Sequence, residues 1–338
     1  HKAPHREWLP AERHIEEFSK KTFPEPSTLF DDYSGRGSAT KEAEMNLLTH
    51  MNWSGDSKLY PEVMDQLGIP DASGWDKGAF QREVGRMNAE QRANWDKVYG
   101  PMNDSFVKSY SSMNEVDKMK WRYQRYMQDY LGTIAAVDEN VGRVLDYLEE
   151  NGLMENTIIV YTSDQGFYLG EHGWFDKRFM YEESLRTPFV MKYPGKVKPG
   201  TIVDGMVVNV DFAPSIIDMA GAKVPEDIQG KSFAPLLAEK PNMKDWRKAM
   251  FYHYYEFPQP HHVAPHFGVR TERYKLIRFY GPYDTWELFD LKNDRQELNN
   301  LIDDPKMKGV IANLKGQLKS LILQYKDEEA LKVFNDNK

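Results

Sequence analysis

Between residues 115 and 177 the sequence passes through three textures in a fixed succession, and this succession limits the fold more than any other feature of the chain. After Asn114, apolar side chains fall at Tyr130, Ile134, Val137, Val141, Leu145 and Leu148, the three-and-four spacing of a helix with one buried face. "ENG" at 150–152 supplies a glycine stop. "NTIIVYT" follows as an unalternated β-branched run, the pattern of a strand covered on both faces. The chain then turns polar at once in "SDQGFYLGEHGWFDK", residues 163–177. Helix, short turn and buried strand make an α/β unit, which places a site at the carboxyl end of the strand, where this polar loop lies.

The remainder is consistent with an α/β fold carrying an appended antiparallel part. "TPFVMKYPG" predicts a second buried strand and "DFAPSIIDMAGA" a short helix. From about Asp245, "KAMFYHYYEF", "HFGVRTERYKLIRFY" and "TWELFDL" alternate as aromatic strands of an antiparallel sheet, closed by an amphipathic helix within "DDPKMKGVIANLKGQLKSLILQYKDE". Residues 1–40 read as irregular, "KEAEMNLLTHM" as a short helix, and about 52–112 as an insertion with a helix near Phe80 to Val98. The expected domains are therefore 1–240, an α/β part with that insertion, and 241–338, a smaller sheet with its closing helix.

Composition removes several classes of function. The net charge of −8, without a lysine- or arginine-dense run, argues against nucleic acid as a partner. No run of eighteen uncharged apolar residues predicts a membrane span. The absence of cysteine excludes disulfides, thiolate metal ligands and a cysteine nucleophile within this sequence. The opening His1-Lys2-Ala3-Pro4-His5 is neither an initiator methionine nor a signal peptide and reads as an internal start.

The polar loop concentrates residues able to do chemistry. Asp164 and Gln165 offer a carboxylate and an amide oxygen to a hard cation, Gly166 and Gly170 let the backbone turn, and His172 and Lys177 can donate to an anion. Singly, each is as well explained by a helix cap, a surface histidine or a solvated lysine; grouped behind a buried strand they point to a site. "YYEFPQPHHVAPHFGVRT" gathers three histidines among aromatics and prolines, a composition suited either to reading a sugar or to a polar connector.

"TSDQGFYLGEHGWFDK" resembles the second signature of the type I sulfatases of the alkaline phosphatase superfamily. "HKAPHREW", "DENVGRVLDYLEENGLMENTIIVYTSD", "RTPFVMKYPG", "VDFAPSIIDMAG" and "WELFDLKNDRQELNNL" are similar to further landmarks of that family, in the same order. The resemblance implies a mixed sheet sandwiched by helices, of the alkaline phosphatase kind, with a small C-terminal antiparallel sheet. It implies Asp164 and Gln165 as calcium ligands, Lys177 and His5 as sulfate contacts, His172 as a substrate-side donor and Lys2 as a nearby assistant. The phrasing around the aromatic sheet is similar to bacterial mucin-desulfating and N-acetylglucosamine-6-sulfatases, which implies His261, His266 and Arg270 as substrate contacts, ahead of His262.

The family nucleophile is a formylglycine made within a C/S-x-P-S-R motif, and no such motif stands in this sequence. The resemblance places it, with the remaining metal carboxylates, in an upstream segment of the same protein, without which the chain is expected not to fold alone. It further implies a sulfated glycan as substrate and a periplasmic or secreted location. A phosphodiesterase or phosphonate hydrolase of the same superfamily is the competing enzyme. Those usually employ two zinc ions with His and Asp ligands, and the D-Q pair without a D-H pair counts against one. A non-catalytic sugar-binding homologue or fragment is the remaining alternative.

Overall fold

The computed structural model describes residues 2–336, which group into two compact units. The first comprises His1–Asp31, Glu44–Met154 and Tyr168–Asp176. Its spine is the helix Glu115–Glu150, begun by a capping box in which Asn114 accepts from the Asp117 amide at 2.9 Å and Asp117 accepts in return. Of the predicted stripe, Val137 is buried, while Tyr130, Ile134, Val141, Leu145 and Leu148 are half-buried. Burial is deeper earlier, at Met119, Tyr123, Tyr126 and Met127. Trp8 packs on Tyr126 with ring centroids 4.4 Å apart, and Tyr123 Oη donates to the Pro24 carbonyl at 2.6 Å.

The expected insertion is a compact helical structure. The single helix predicted near Phe80–Val98 is two, Asp76–Val84 and Ala89–Tyr110, because Gly85 ends the first and Asn88 caps the second through Gln91. Phe80, Val84, Trp95 and Tyr99 form one core with Ile15, and Leu59, Met64, Ile69 and Phe106 another. "KEAEMNLLTHM" is not a helix beyond the single turn Ser38–Lys41. Its later residues instead pair by backbone, Phe175 N to Met45 O at 2.9 Å and Leu47 N to Gly173 O at 2.8 Å.

The second unit comprises Asp32–Ala43, Glu155–Phe167 and Lys177–Lys338. Strand β1 (Ile159–Thr162) is the predicted apolar run. The short strands β2 (Tyr168–Leu169) and β3 (Phe175–Asp176) lie in the first unit, and β4 (Phe189–Lys192) pairs antiparallel with β1 from Ile159↔Lys192 to Thr162↔Phe189. The expectation of a strand covered on both faces is corrected here: Val160 is 39%, Tyr161 45% and Val190 64% exposed, since among the described residues β1 has β4 as its sheet neighbour.

The helix Phe212–Met219 lies where predicted, and the aromatic C-terminal segment forms the antiparallel meander β5 (Ala249–Tyr254), β6 (His266–Thr271), β7 (Tyr274–Phe279) and β8 (Thr285–Asp290). Phe267, Val269, Leu276 and Leu288 from this sheet pack against Leu314, Leu318 and Ile322 of the closing helix Lys308–Tyr325. A further helix, Glu328–Asp336, follows a left-handed turn at Lys326 and adds Ala330 to that core. The fold class is thus mixed α/β with a small antiparallel sheet and closing helix. Among the described residues no helix is long and apolar enough to cross a membrane.

Candidate active site

In the second unit, β1 delivers Ser163, Asp164 and Gln165 at its carboxyl end. Asp164 is exposed, and Ser163 Oγ holds the turn by donating to the Gln165 carbonyl at 2.9 Å. Gly166 is required here for a reason other than turning. A Cβ at this position would lie 2.0 Å from the Glu183 carbonyl oxygen, so the loop passes against the helix Glu182–Leu185 with no room for a side chain. The same approach forms the bond from Gly166 N to Ser184 O at 2.8 Å. Asp164 and Gln165 open onto a cleft of about 710 Å³ whose wall includes Glu182, Arg186, Asn209 and Arg270.

Lys177 is half-buried, with its ammonium 5.8 Å from the centroid of Phe167. The adjacent Arg178 was not anticipated from the sequence. It adopts φ 97°, its carbonyl accepts from Tyr252 Oη at 2.7 Å, and its Nη2 lies 2.6 Å from His261 Nε2. His261 Nδ1 in turn lies 2.8 Å from Glu256, so an N–H at Nδ1 donates to the carboxylate while Nε2 accepts from the guanidinium. The histidine partner lowers the Glu256 carboxyl below its ordinary range. The readable signal is the basic pair in "FDKR", whose second member stands just past the loop that ends at Lys177.

The other two sugar-contact candidates from this region are placed differently. His266 is fully buried on β6. Its Nδ1 donates to the Ala264 carbonyl at 2.7 Å, its Nε2 accepts from Met180 N at 3.2 Å, and Phe179 and Phe279 pack on the ring. Burial pushes its pKa down to about 4 and keeps it neutral. Its predicted contact with a sugar is therefore corrected: both ring nitrogens are taken by the backbone of Ala264 and Met180. Arg270 lines the cleft but gives Nε and Nη2 to Glu182 at 3.2 and 2.9 Å. Glu182 also meets the buried Lys275 at 3.0 Å, and Lys275 meets the buried Glu297 at 2.7 Å.

In the first unit, Lys2 and His5 are exposed on one turn, closed by His5 N donating to Lys2 O at 2.9 Å. His172 is fully buried in left-handed conformation, φ 57°, with Nδ1 2.8 Å from Asp31 Oδ2 and the Tyr168 and Trp174 rings against it. Its backbone N donates to Thr28 Oγ1 at 3.1 Å. The ring is enclosed by protein and, through Nδ1, braces the loop that leads to Lys177; its role as a substrate-side donor remains a proposal.

Among the described residues no group of three or more His, Cys, Asp or Glu side chains is arranged to hold a metal. Asp164 and Gln165 have the hard oxygens that a calcium-type cation takes, but they are two ligands where such an ion takes ~6–8. They fit one side of a site and no more.

The chain is similar to the sulfatases and, more widely, to proteins of the alkaline phosphatase superfamily. The family model "Sulfatase" matches residues 77–222, and "N-sulphoglucosamine sulphohydrolase, C-terminal" matches residues 170–324. An N-acetylglucosamine-6-O-sulfatase of Bacteroides thetaiotaomicron is 45% identical over 97% of this chain and 57% of its own length. A solved structure described as a complex with its substrate D-glucosamine-2-N,6-O-disulfate is also 45% identical, with TM-score 0.88 over 97% of this chain and 65% of that one. A multifunctional alkaline phosphatase superfamily protein, PehA of Trinickia caryophylli, is 32% identical over 59% of this chain and 40% of its own length. The chain thus spans 57% of the length of the first of these relatives.

Proposed function

We propose that this protein is a sulfuric ester hydrolase that removes O-sulfate from a carbohydrate, at the 6-position of N-acetylglucosamine or a related glucosamine. The observation that carries the reading is the strand-end pair Asp164–Gln165 followed, within one loop, by the half-buried Lys177. In this reading Lys177 and His5 bind the sulfate ester, with Lys2 assisting. Their positive charge and N–H donors meet the charge that moves towards the leaving oxygen in the transition state. Proton delivery to the leaving sugar oxygen falls to a histidine, and exposed His5 is placed on a turn where solvent can recharge it. Arg178 reads the sugar, and His261 acts by holding Arg178.

Asp164 and Gln165 would hold one side of a divalent cation, of the calcium class, which would polarise the sulfate when bound. The family's formylglycine has no counterpart among these residues, and no step is assigned to it. Family likeness also supports action in the periplasm or outside the cell.

The test is release of inorganic sulfate from 6-O-sulfated N-acetylglucosamine by the active protein, against a phosphodiester and a phosphonate monoester. Faster turnover of either phosphorus ester would move the protein to the phosphonate-hydrolase branch, and turnover of none of the three would leave a sugar-binding homologue. Asp164→Ala is expected to lose bound divalent cation, read by elemental analysis of the purified protein; full cation retention would remove Asp164 from the ligand set.

His261→Ala is expected to raise KM for the sulfated sugar several-fold while sparing a small aryl sulfate, since only the sugar needs Arg178 in place. Equal losses on both substrates would instead make His261 part of the sulfate site.

A further inference from the structure

The turn bearing Lys2 and His5 belongs to no helix or strand, so side chains must hold it. Trp8, fully buried, donates Nε1 to the Pro4 carbonyl at 3.0 Å. The stronger tie is Arg6. Its Nε and Nη2 reach the two oxygens of Asp56 at 3.0 and 2.6 Å, and its guanidinium lies 4.9 Å from the Phe175 ring centroid and 6.0 Å from that of Trp75. Burial works against the Arg6 charge, but the Asp56 carboxylate outweighs it and the guanidinium pKa is raised.

The far end of this tie is itself fixed. The Asp56 side chain has no exposed surface and accepts from Asn52 N at 2.9 Å. The loop around it is gripped twice more. Asp76 accepts from Ser54 N and Gly55 N at 2.9 and 2.6 Å, and buried Arg122 donates to the Leu48 and Asn52 carbonyls at 2.9 and 2.8 Å. Phe175, under the Arg6 guanidinium, precedes Lys177 by two residues in the sequence.

We propose that the Arg6–Asp56 pair is a positioning device, fixing the backbone that presents His5 against the strand that carries Phe175. The inference rests on His5 being a sulfate contact. Stability alone does not explain the pair, because buried ion pairs often contribute no more than apolar packing of the same volume. A planar bidentate fork adds a defined orientation, which a turn without backbone ladders otherwise lacks. The loop at 52–56, at the head of the region that reads as an insertion, thereby becomes part of the sulfate site's support.

The experiment is a double-mutant cycle in the active protein on 6-O-sulfated N-acetylglucosamine, with Tm recorded for every variant. Arg6→Lys keeps the charge and loses the fork. It is expected to lower kcat/KM ~10–100-fold, mainly in kcat, since small misplacements of a binding group are amplified in rate. Asp56→Asn should do the same. In a His5→Ala background, Arg6→Lys should change kcat/KM by less than ~3-fold, because the group it positions is gone.

Equal losses in both backgrounds, or an active Arg6→Lys single variant, overturn the inference while leaving His5 as a sulfate contact. An undiminished His5→Ala variant overturns the sulfate reading and this inference together. Should Arg6→Lys fail to fold, the paired Arg6→Met/Asp56→Leu variant leaves no buried charge alone. Regained folding with activity still down ~10-fold supports positioning, and regained activity overturns it.

Discussion

Lys177→Ala is expected to lower kcat/KM on both a sulfated sugar and an aryl sulfate by ~10²–10³-fold, the loss seen when one donor to a developing anion is removed from a preorganised site. The lysine is half-buried beside Phe167, in surroundings that screen its charge less than water does. Its contribution grows as negative charge moves onto the leaving oxygen, so the loss falls on kcat as well as on KM. Lys177→Arg retains a cation but exchanges a compact ammonium for a planar fork, and should recover only part of the rate. Steady-state kinetics on both substrates reads the effect. An alanine variant within a factor of two of the parent would place the sulfate contact elsewhere in the loop. Arg178 would then be the next residue to test, since it shares the turn.

The second large effect concerns stability. Lys275→Met is expected to lower unfolding free energy by ~3–5 kcal/mol, the loss typical of removing one member of a buried charge cluster. Lys275 and Glu297 have no exposed side-chain surface, and Lys275 bridges Glu297 to Glu182. Despite burial, Lys275 and Arg270 hold the Glu182 carboxyl down to about 2, while burial holds Glu297 up at about 7.

The signs then differ. Glu182 has its folded pKa depressed, so it stabilises above the ordinary carboxylate range and loses that contribution as pH falls towards 2. Glu297 has its folded pKa raised, so its contribution is complete below the ordinary carboxylate range and is lost as pH rises through about 7. Glu297→Gln should therefore flatten the decline in stability between pH ~5 and ~8 and change little at pH ~5, where the native carboxyl is already protonated. Denaturant titrations at both pH values measure this, and an unchanged slope would remove Glu297 as its source.

What could be read in the sequence was whatever local periodicity or a short loop determines. The long helix follows from its own spacing and its Asn114 cap, and the alternating strands β5–β8 from theirs. The strand-end pair Asp164–Gln165 could be located because β1 is a contiguous apolar run. What depends on distant partners was not legible. His266 and His261 stand five residues apart among similar residues, yet one is buried against Phe179 at the start of β6 and the other holds Arg178. His172 looked like a surface donor because Asp31, its partner, is far away in sequence. Arg6 carried no signal for the same reason, its acid lying at position 56. The helix break at Gly85–Asn88 was written locally, as glycine followed by an N-cap residue, and could have been read.

The β1–β4 ribbon has a consequence for what can pair with it. Two strands form the sheet among the described residues, and Val160, Tyr161 and Val190 carry apolar surface on it. The outer edge of each strand carries backbone donors and acceptors that a further strand, of this protein or of another, would meet at the ~4.8 Å spacing of a backbone ladder. The net charge of −8 keeps copies apart only over the screening length, ~8–10 Å at moderate salt. A strand approaching such an edge meets electrostatics at long range and edge geometry at short range. Added salt shortens the reach of the first and leaves the second unchanged.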